Sequence, residues 1–217
     1  MILADVLTEA RRLLQDTNAA ASLRRYSDAH LLGTANQVLQ RMALLRPDLF
    51  SYIGDITCAT GEVLQTAPTN SLRLIDIFRV KGGSGVRETN RATLDQTYPT
   101  WADDPDGDCL NWMRHVKNAN RFFIYPKAPA GQILVGEYAK MPATYDANTT
   151  VTELPDAYFP VVVDGVVWLI ESADNESVTS GRAAMFMQSF MQTMSATLAN
   201  QSITDESSST PGKKNGP

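Results

Sequence analysis

The apolar residues of this chain change their period twice, and that constrains its fold more than any single motif does. Up to residue 45 they recur every three or four positions. Between residues 55 and 142 they alternate, or cluster between glycines and prolines. From residue 154 helical spacing returns. A first helix is marked by Leu3, Leu7, Ala10 and Leu14 and is broken by "QDTNAAAS". A second lies in "RRYSDAHLLGTANQVLQRMALLRPDLF", where Ser27 is an N-cap and Asp28 places a negative charge in the first turn. Its stripe is Leu31, Ala35, Val38, Met42 and Leu45, and Pro47 ends it. Asn36 is a lone polar residue near that stripe, suited to a hydrogen bond between helices or subunits.

The middle of the chain reads as short antiparallel strands. "LRLIDIFRV" alternates, "KGGSG" is a hairpin-type turn, and "RFFIYP" and "GQILVGEYAKMP" flank the turn-forming "KAPAG". Beyond Pro155, Leu154, Tyr158, Val161, Val162, Val166 and Leu169 fill the broad apolar face of a further helix. The last helix, over 177–199 with Ser177 as its cap, carries Ala184, Met187, Met191, Met194 and Leu198. The remainder is rich in Ser, Thr, Gly, Pro and charge, a composition that does not form a core on its own.

The expected class is therefore α+β: a four-helix-type bundle of N- and C-terminal helices, with an inserted antiparallel β lobe and an extended C-terminal arm. The expected divisions are bundle helices over 1–54, the β lobe over 55–150, bundle helices over 151–199 and the arm over 200–217. Gly33 and Gly165 fall inside helices, where glycine costs up to about 1 kcal/mol. They mark either close helix–helix approach or a misplaced helix end.

Chemistry is hard to find. The chain is 43 % hydrophobic and 20 % charged, enough for a real core, and its net charge is −5. That charge argues against gripping nucleic acid by its phosphates, though not against letting DNA pass without sticking. In "WADDPDGDCLNW", Asp104, Asp106 and Gly107 match part of a calcium loop. The first aspartate and the closing glutamate are missing, so a solvated acidic turn is the better reading. His30 and His115 have no ligand partner at a metal-binding spacing. The two cysteines, Cys58 and Cys109, lie in no nucleophile signature and read as reduced, inert thiols. "KGGSG" lacks the order of a phosphate-binding loop. "FPVVVDGVVWLI" is the nearest approach to a membrane span, and Asp164 interrupts it. No catalytic, cofactor-binding or metal-ligating residue is expected, and no membrane partner.

The order and spacing of the pieces resemble the head-to-tail adaptor (connector) proteins of tailed bacteriophages, most closely those of short-tailed phages (tail tubular protein A). The resemblance rests on "LTEARRLLQDT", on the aromatic-Ser-Asp-x-x-Leu-Leu-x-x-x-Asn pattern at Tyr26, Ser27, Asp28, Leu31, Leu32 and Asn36, on "FFIYPKAPAGQILVGEYAKMP", and on "ELPDAYFPVVVDGVVWLIESADNES". It implies a structural virion protein in the phage neck. Such a protein forms a ring of twelve subunits under the portal, extends the DNA channel and offers a platform for tail-tube and nozzle proteins. DNA would pass through the lumen without specific binding. The C-terminal arm would reach the portal, with Leu198, Ile203, Lys213 and Lys214 as its contact residues. The resemblance carries no catalytic residues. Rival readings are another neck component (a stopper or tail-completion protein), a protein- or sugar-binding module working through Trp101, Trp112 and Phe122, or a hydrolase with an unrecognised site.

Overall fold

The computed structural model describes residues 1–173 and 180–208, with the side chains of 1–173 and 181–195. The chain is α+β, with five helices and seven strands in two sheets among the described residues. It divides into two compact units, one of Met1–Met42 with Thr144–Pro217 and the other of Ala43–Ala143.

The first unit is not a four-helix bundle. Helix α1 (Leu3–Leu13) packs on α4 (Phe159–Ala173), and α4 packs on α5 (Ser180–Ser208). Helix α2 (Asp28–Leu45) approaches α4 most tightly at one place, Gly165 against Val38, where a Cβ on the glycine would sit 2.6 Å from Val38 Cγ1. Non-helical chain occupies the rest of the core. Tyr145, Val151 and Leu154 are buried, Val151 N–H donates to the Met1 carbonyl at 2.8 Å and Ala4 N–H to Ala147 at 2.8 Å. An apolar stripe says that a helix packs, not what it packs against, and here a returning stretch of backbone takes space that a bundle would give to helices.

Helix α4 explains this arrangement. Val161, Val162, Val163, Gly165, Val166, Val167 and Ile170 are all buried, so apolar contact surrounds nearly its whole circumference and it must lie at the centre of its unit. Helix α1 buries Leu3, Val6, Leu7 and Ala10 on one side and ends where Gln15 adopts φ 57°, in the left-handed region. Helix α5 runs on through residues 200–208, so this stretch is helix rather than extended arm. Ser177 and residues 209–217 lie outside the described residues.

The second unit holds both sheets and a short helix, α3 (Arg91–Thr97), capped by the Asn90 side chain. One sheet has the order β1 (Ser51–Thr57), β7 (Ile133–Lys140), β3 (Ser71–Val80), all antiparallel. The other has the order β2 (Leu64–Thr66), β6 (Arg121–Tyr125), β5 (Asn111–Arg114), β4 (Arg87–Glu88), with only β4–β5 parallel. Ile56, Leu74, Ile77, Trp112, Phe122, Ile124, Leu134 and Tyr138 form the core of this unit. The expected antiparallel β lobe is thus present, built of two sheets.

Candidate functional site

The polar residues of the first unit are tied together at its helix ends. Ser27 Oγ accepts from His30 N–H at 3.2 Å, which satisfies one of the orphan donors at the start of α2. Asp28 Oδ1 accepts from Arg11 Nη2 at 2.6 Å, and this bond is the main cause that holds the Asp28 carboxyl below its ordinary pKa. Arg11 Nη2 also donates to the Tyr26 carbonyl at 2.9 Å, and Nη1 donates to Asp16 Oδ2 at 2.5 Å. Asp16 accepts in addition from the backbone N–H groups of Arg25 (2.7 Å) and Tyr26 (3.2 Å). Arg11 and Asp16 are each only 7 % exposed. One guanidinium therefore joins the end of α1, the connecting loop and the first turn of α2.

Sequence reasoning missed Arg11, although a signal was there. It follows Leu7 by four residues and so falls on the buried face of α1. A charge at such a position is nearly always paired.

Asn36 faces inward, and its partner is backbone rather than another helix or subunit. Its Oδ1 accepts from Tyr145 N–H at 2.8 Å and its Nδ2 donates to the Tyr145 carbonyl at 3.0 Å. This pair of bonds pins the chain where it returns from the second unit's residues, 109 positions later in sequence. The expected contact residues of the arm, Leu198, Ile203, Lys213 and Lys214, have no described side chains. Leu198 and Ile203 lie within the helical span of α5, and the two lysines fall outside the described residues.

The methionines of α5 divide. Met194 and Phe190 are buried, whereas Met185, Met187 and Met191 are exposed. The packed face runs through Ala183, Phe190 and Met194, adjacent to the stripe expected from the sequence. The exposed thioethers offer adaptable apolar surface of the kind used for partner contacts.

In the second unit the acidic stretch is a braced turn. Asp104 accepts from the phenols of Tyr98 (2.6 Å) and Tyr125 (2.8 Å), and this bonding pushes both tyrosine pKa values up. Asp103, Asp106 and Asp108 are exposed. Among the described residues no three His, Cys, Asp or Glu side chains group as metal ligands. His115 Nδ1 accepts from the N–H groups of Lys117 (3.2 Å) and Asn118 (3.1 Å), while its ring stacks on Phe123 at 5.6 Å. His30 stacks on Tyr26 at 6.2 Å. Cys58 and Cys109 are free and buried, and burial pushes their thiols up to about 11 and about 12. Trp112 and Phe122 are fully buried and Trp101 nearly so, which leaves the three unable to form an exposed aromatic platform.

Elsewhere in the same unit a groove of about 360 Å³ opens between β3 and the β5–β6 turn, lined by Arg73, Trp112, Arg114, Lys117 and Arg121 among others. Arg114 is engaged: its Nε donates to Glu88 Oε1 at 2.6 Å, its Nη2 to the Ile75 carbonyl at 2.7 Å, and its guanidinium lies 4.8 Å above the Trp112 ring. Arg73, Lys117 and Arg121 are exposed and make no ion pair among the described residues. Arg114, Lys117 and Arg121 lie close together in sequence, but Arg73 comes from the distant β3, so no local pattern announces the full set.

Ion pairs, caps and clamps thus hold the first unit together, while apolar side chains on α5 and charged side chains in the second unit are exposed. Residues 1–214 match the family described as SU10 adaptor protein, and the chain belongs to that family. It is a phage adaptor, a structural protein of the virion neck, and membership implies contact with portal and tail proteins. No curated protein matches the chain. Among the described residues, no helix is long and apolar enough to cross a membrane.

Proposed function

We propose that this protein is a head-to-tail adaptor that docks as a ring of twelve subunits under the portal, extends the DNA channel and carries the tail tube and nozzle proteins. The observation that carries this reading is the family match, which spans residues 1–214 and so takes in both units rather than one shared helix pair. The length of α5 supports it. At 29 residues this helix outruns α4, its 15-residue neighbour, and exposes Met185, Met187 and Met191 for contacts outside the chain. In this reading the C-terminal stretch over 200–217 reaches the portal, with Leu198, Ile203, Lys213 and Lys214 making the contact. The net charge of −5 suits a channel wall that repels the DNA backbone and lets it slide.

Mixing the protein with the portal of the same phage and weighing the product by native mass spectrometry tests the proposal. Twelve copies on each portal are expected. No binding at any stoichiometry would sink the adaptor reading, and a stable complex of another stoichiometry would sink the ring number alone.

A further inference from the structure

The second unit is electrically polar, and its two ends complement each other. Strands β5 and β6 pair antiparallel, with Asn111 opposite Tyr125 and Arg114 opposite Phe122. The acidic segment Asp103–Asp108 leads into β5 and is fastened beside the end of β6: Gly107 N–H donates to the Lys127 carbonyl at 3.0 Å and Leu110 N–H to Tyr125 at 2.8 Å. The cationic groove lies at the other end, around the turn that joins the two strands. Four residues of β5 separate the ends, roughly 14 Å at about 3.4 Å per residue.

That separation exceeds the Debye length of about 8 Å at physiological salt, so within one copy the two sets of exposed charges are largely screened from each other. Each set is left to find an external partner. At the acidic end Asp103, Asp106 and Asp108 are exposed, with Pro105 and Leu110 beside them. At the cationic end Arg73, Lys117 and Arg121 are exposed; Arg73 feels the charge of Asp48 nearby, and none of the three makes a close ion pair among the described residues. The groove floor adds Trp112, fully buried, whose indole N–H has no acceptor among the described residues. A volume of about 360 Å³ equals that of about a dozen water molecules, room for two or three carboxylate side chains.

We infer that the cationic groove of one copy receives the Asp103–Asp108 segment of the next copy. The match of three exposed acids to three exposed cations, on a chain whose net charge otherwise opposes self-association, favours this occupant over nucleic acid. Groove and segment are different surfaces, so the contact is heterologous, and a heterologous contact repeated with rotation closes into a ring. The inference deepens the ring reading above and rests on it.

Charge reversal in alternation provides the test. One variant carries Arg73→Glu and Arg121→Glu; the other carries Asp103→Lys and Asp106→Lys. All four residues are exposed, and each variant is checked for an unchanged circular-dichroism melt. Occupancy on the phage's own portal is then read by native mass spectrometry. Each variant alone brings like charges together and should load at about tenfold lower apparent affinity or worse. An equal mixture should restore loading, because in an alternating ring every groove meets an oppositely charged segment. A misfolded variant could not be rescued in this way. Normal loading of either variant alone would overturn the contact and leave the ring standing. Loss with the groove variant but not the segment variant would overturn it too, and would point to an anion from another molecule. A wild-type chain that never loads would overturn both readings.

Discussion

Two glycines inside helices should respond to the same substitution in opposite directions. Gly33 in α2 has open space where a Cβ would go, with nothing within 4 Å. Alanine there gains helix propensity and reduces the freedom of the unfolded chain, so Gly33→Ala should stabilise the first unit by up to about 1 kcal/mol. Gly165 in α4 is the reverse case. A Cβ would lie 2.6 Å and 3.1 Å from the two methyls of Val38 and 3.2 Å from Phe190 Cδ2. Both neighbours are buried core side chains with little freedom to move, and overpacking of this kind costs about 1–3 kcal/mol. Set against the same propensity gain, Gly165→Ala should destabilise by up to about 2 kcal/mol. Val38→Ala removes the two clashing methyls and alone should cost about 1.6 kcal/mol of burial. In the double variant much of the clash disappears, so its loss should fall short of the sum of the single losses by about 1 kcal/mol or more. Urea denaturation followed by circular dichroism at 222 nm reads mainly the first unit, which contains the long helices. If Gly165→Ala matches Gly33→Ala in sign, or if the double variant is strictly additive, the close approach of α2 to α4 is not what glycine serves.

Further outcomes follow from the polar groups. Arg11→Met leaves Asp16 buried without its cation and should cost about 3–5 kcal/mol, a loss that Asp16→Asn in the same chain should partly recover; thermal melts of the three chains decide this. The Asp28 carboxyl should titrate below 3.8 by NMR, so its contribution to stability is present above that pH and is lost as pH falls through the lowered folded value; the shift should shrink in Arg11→Met, leaving the smaller effect of Arg24. Cys58 and Cys109 should resist iodoacetamide at pH 8 until the chain unfolds. Because their folded values of about 11 and about 12 exceed the ordinary 9.0, their contribution is complete below pH 9 and is lost as pH rises from 9 toward those values. Deleting residues 200–217 should leave both units folded by circular dichroism while weakening portal docking, and unchanged docking would place the contact elsewhere.

The local elements were legible because their causes are local. Ser27 and Pro47 bracket α2, the alternation of "LRLIDIFRV" marks β3, and the apolar face after Pro155 marks α4. Partners were not legible. β7 lies between β1 and β3 and pairs with strands more than fifty residues upstream, so nothing in its own period names its neighbours. The bundle was expected for the same reason: four apolar faces were visible, but the returning stretch at Tyr145–Val151 that fills part of the core carries no helical signal. The capping role of Ser27 could be read from the residue type. The tie of Asp28 to Arg11 could not, because it depends on where α1 ends relative to α2. The cationic groove was hidden most completely, since Arg73 and Arg121 lie 48 positions apart in sequence.

The side-chain amide of Asn36 meets the backbone of Tyr145 as a neighbouring strand would, with one bond accepted and one donated. With the bonds of Met1 and Ala4 to Val151 and Ala147, it closes the helical unit using only residues that belong to that unit. The intervening hundred residues are thus spliced into a frame that secures its own cut ends. Recombination that exchanged the segment between Met42 and Thr144 would leave that frame intact, so a phage lineage can renew the second unit of such a protein without re-evolving the first.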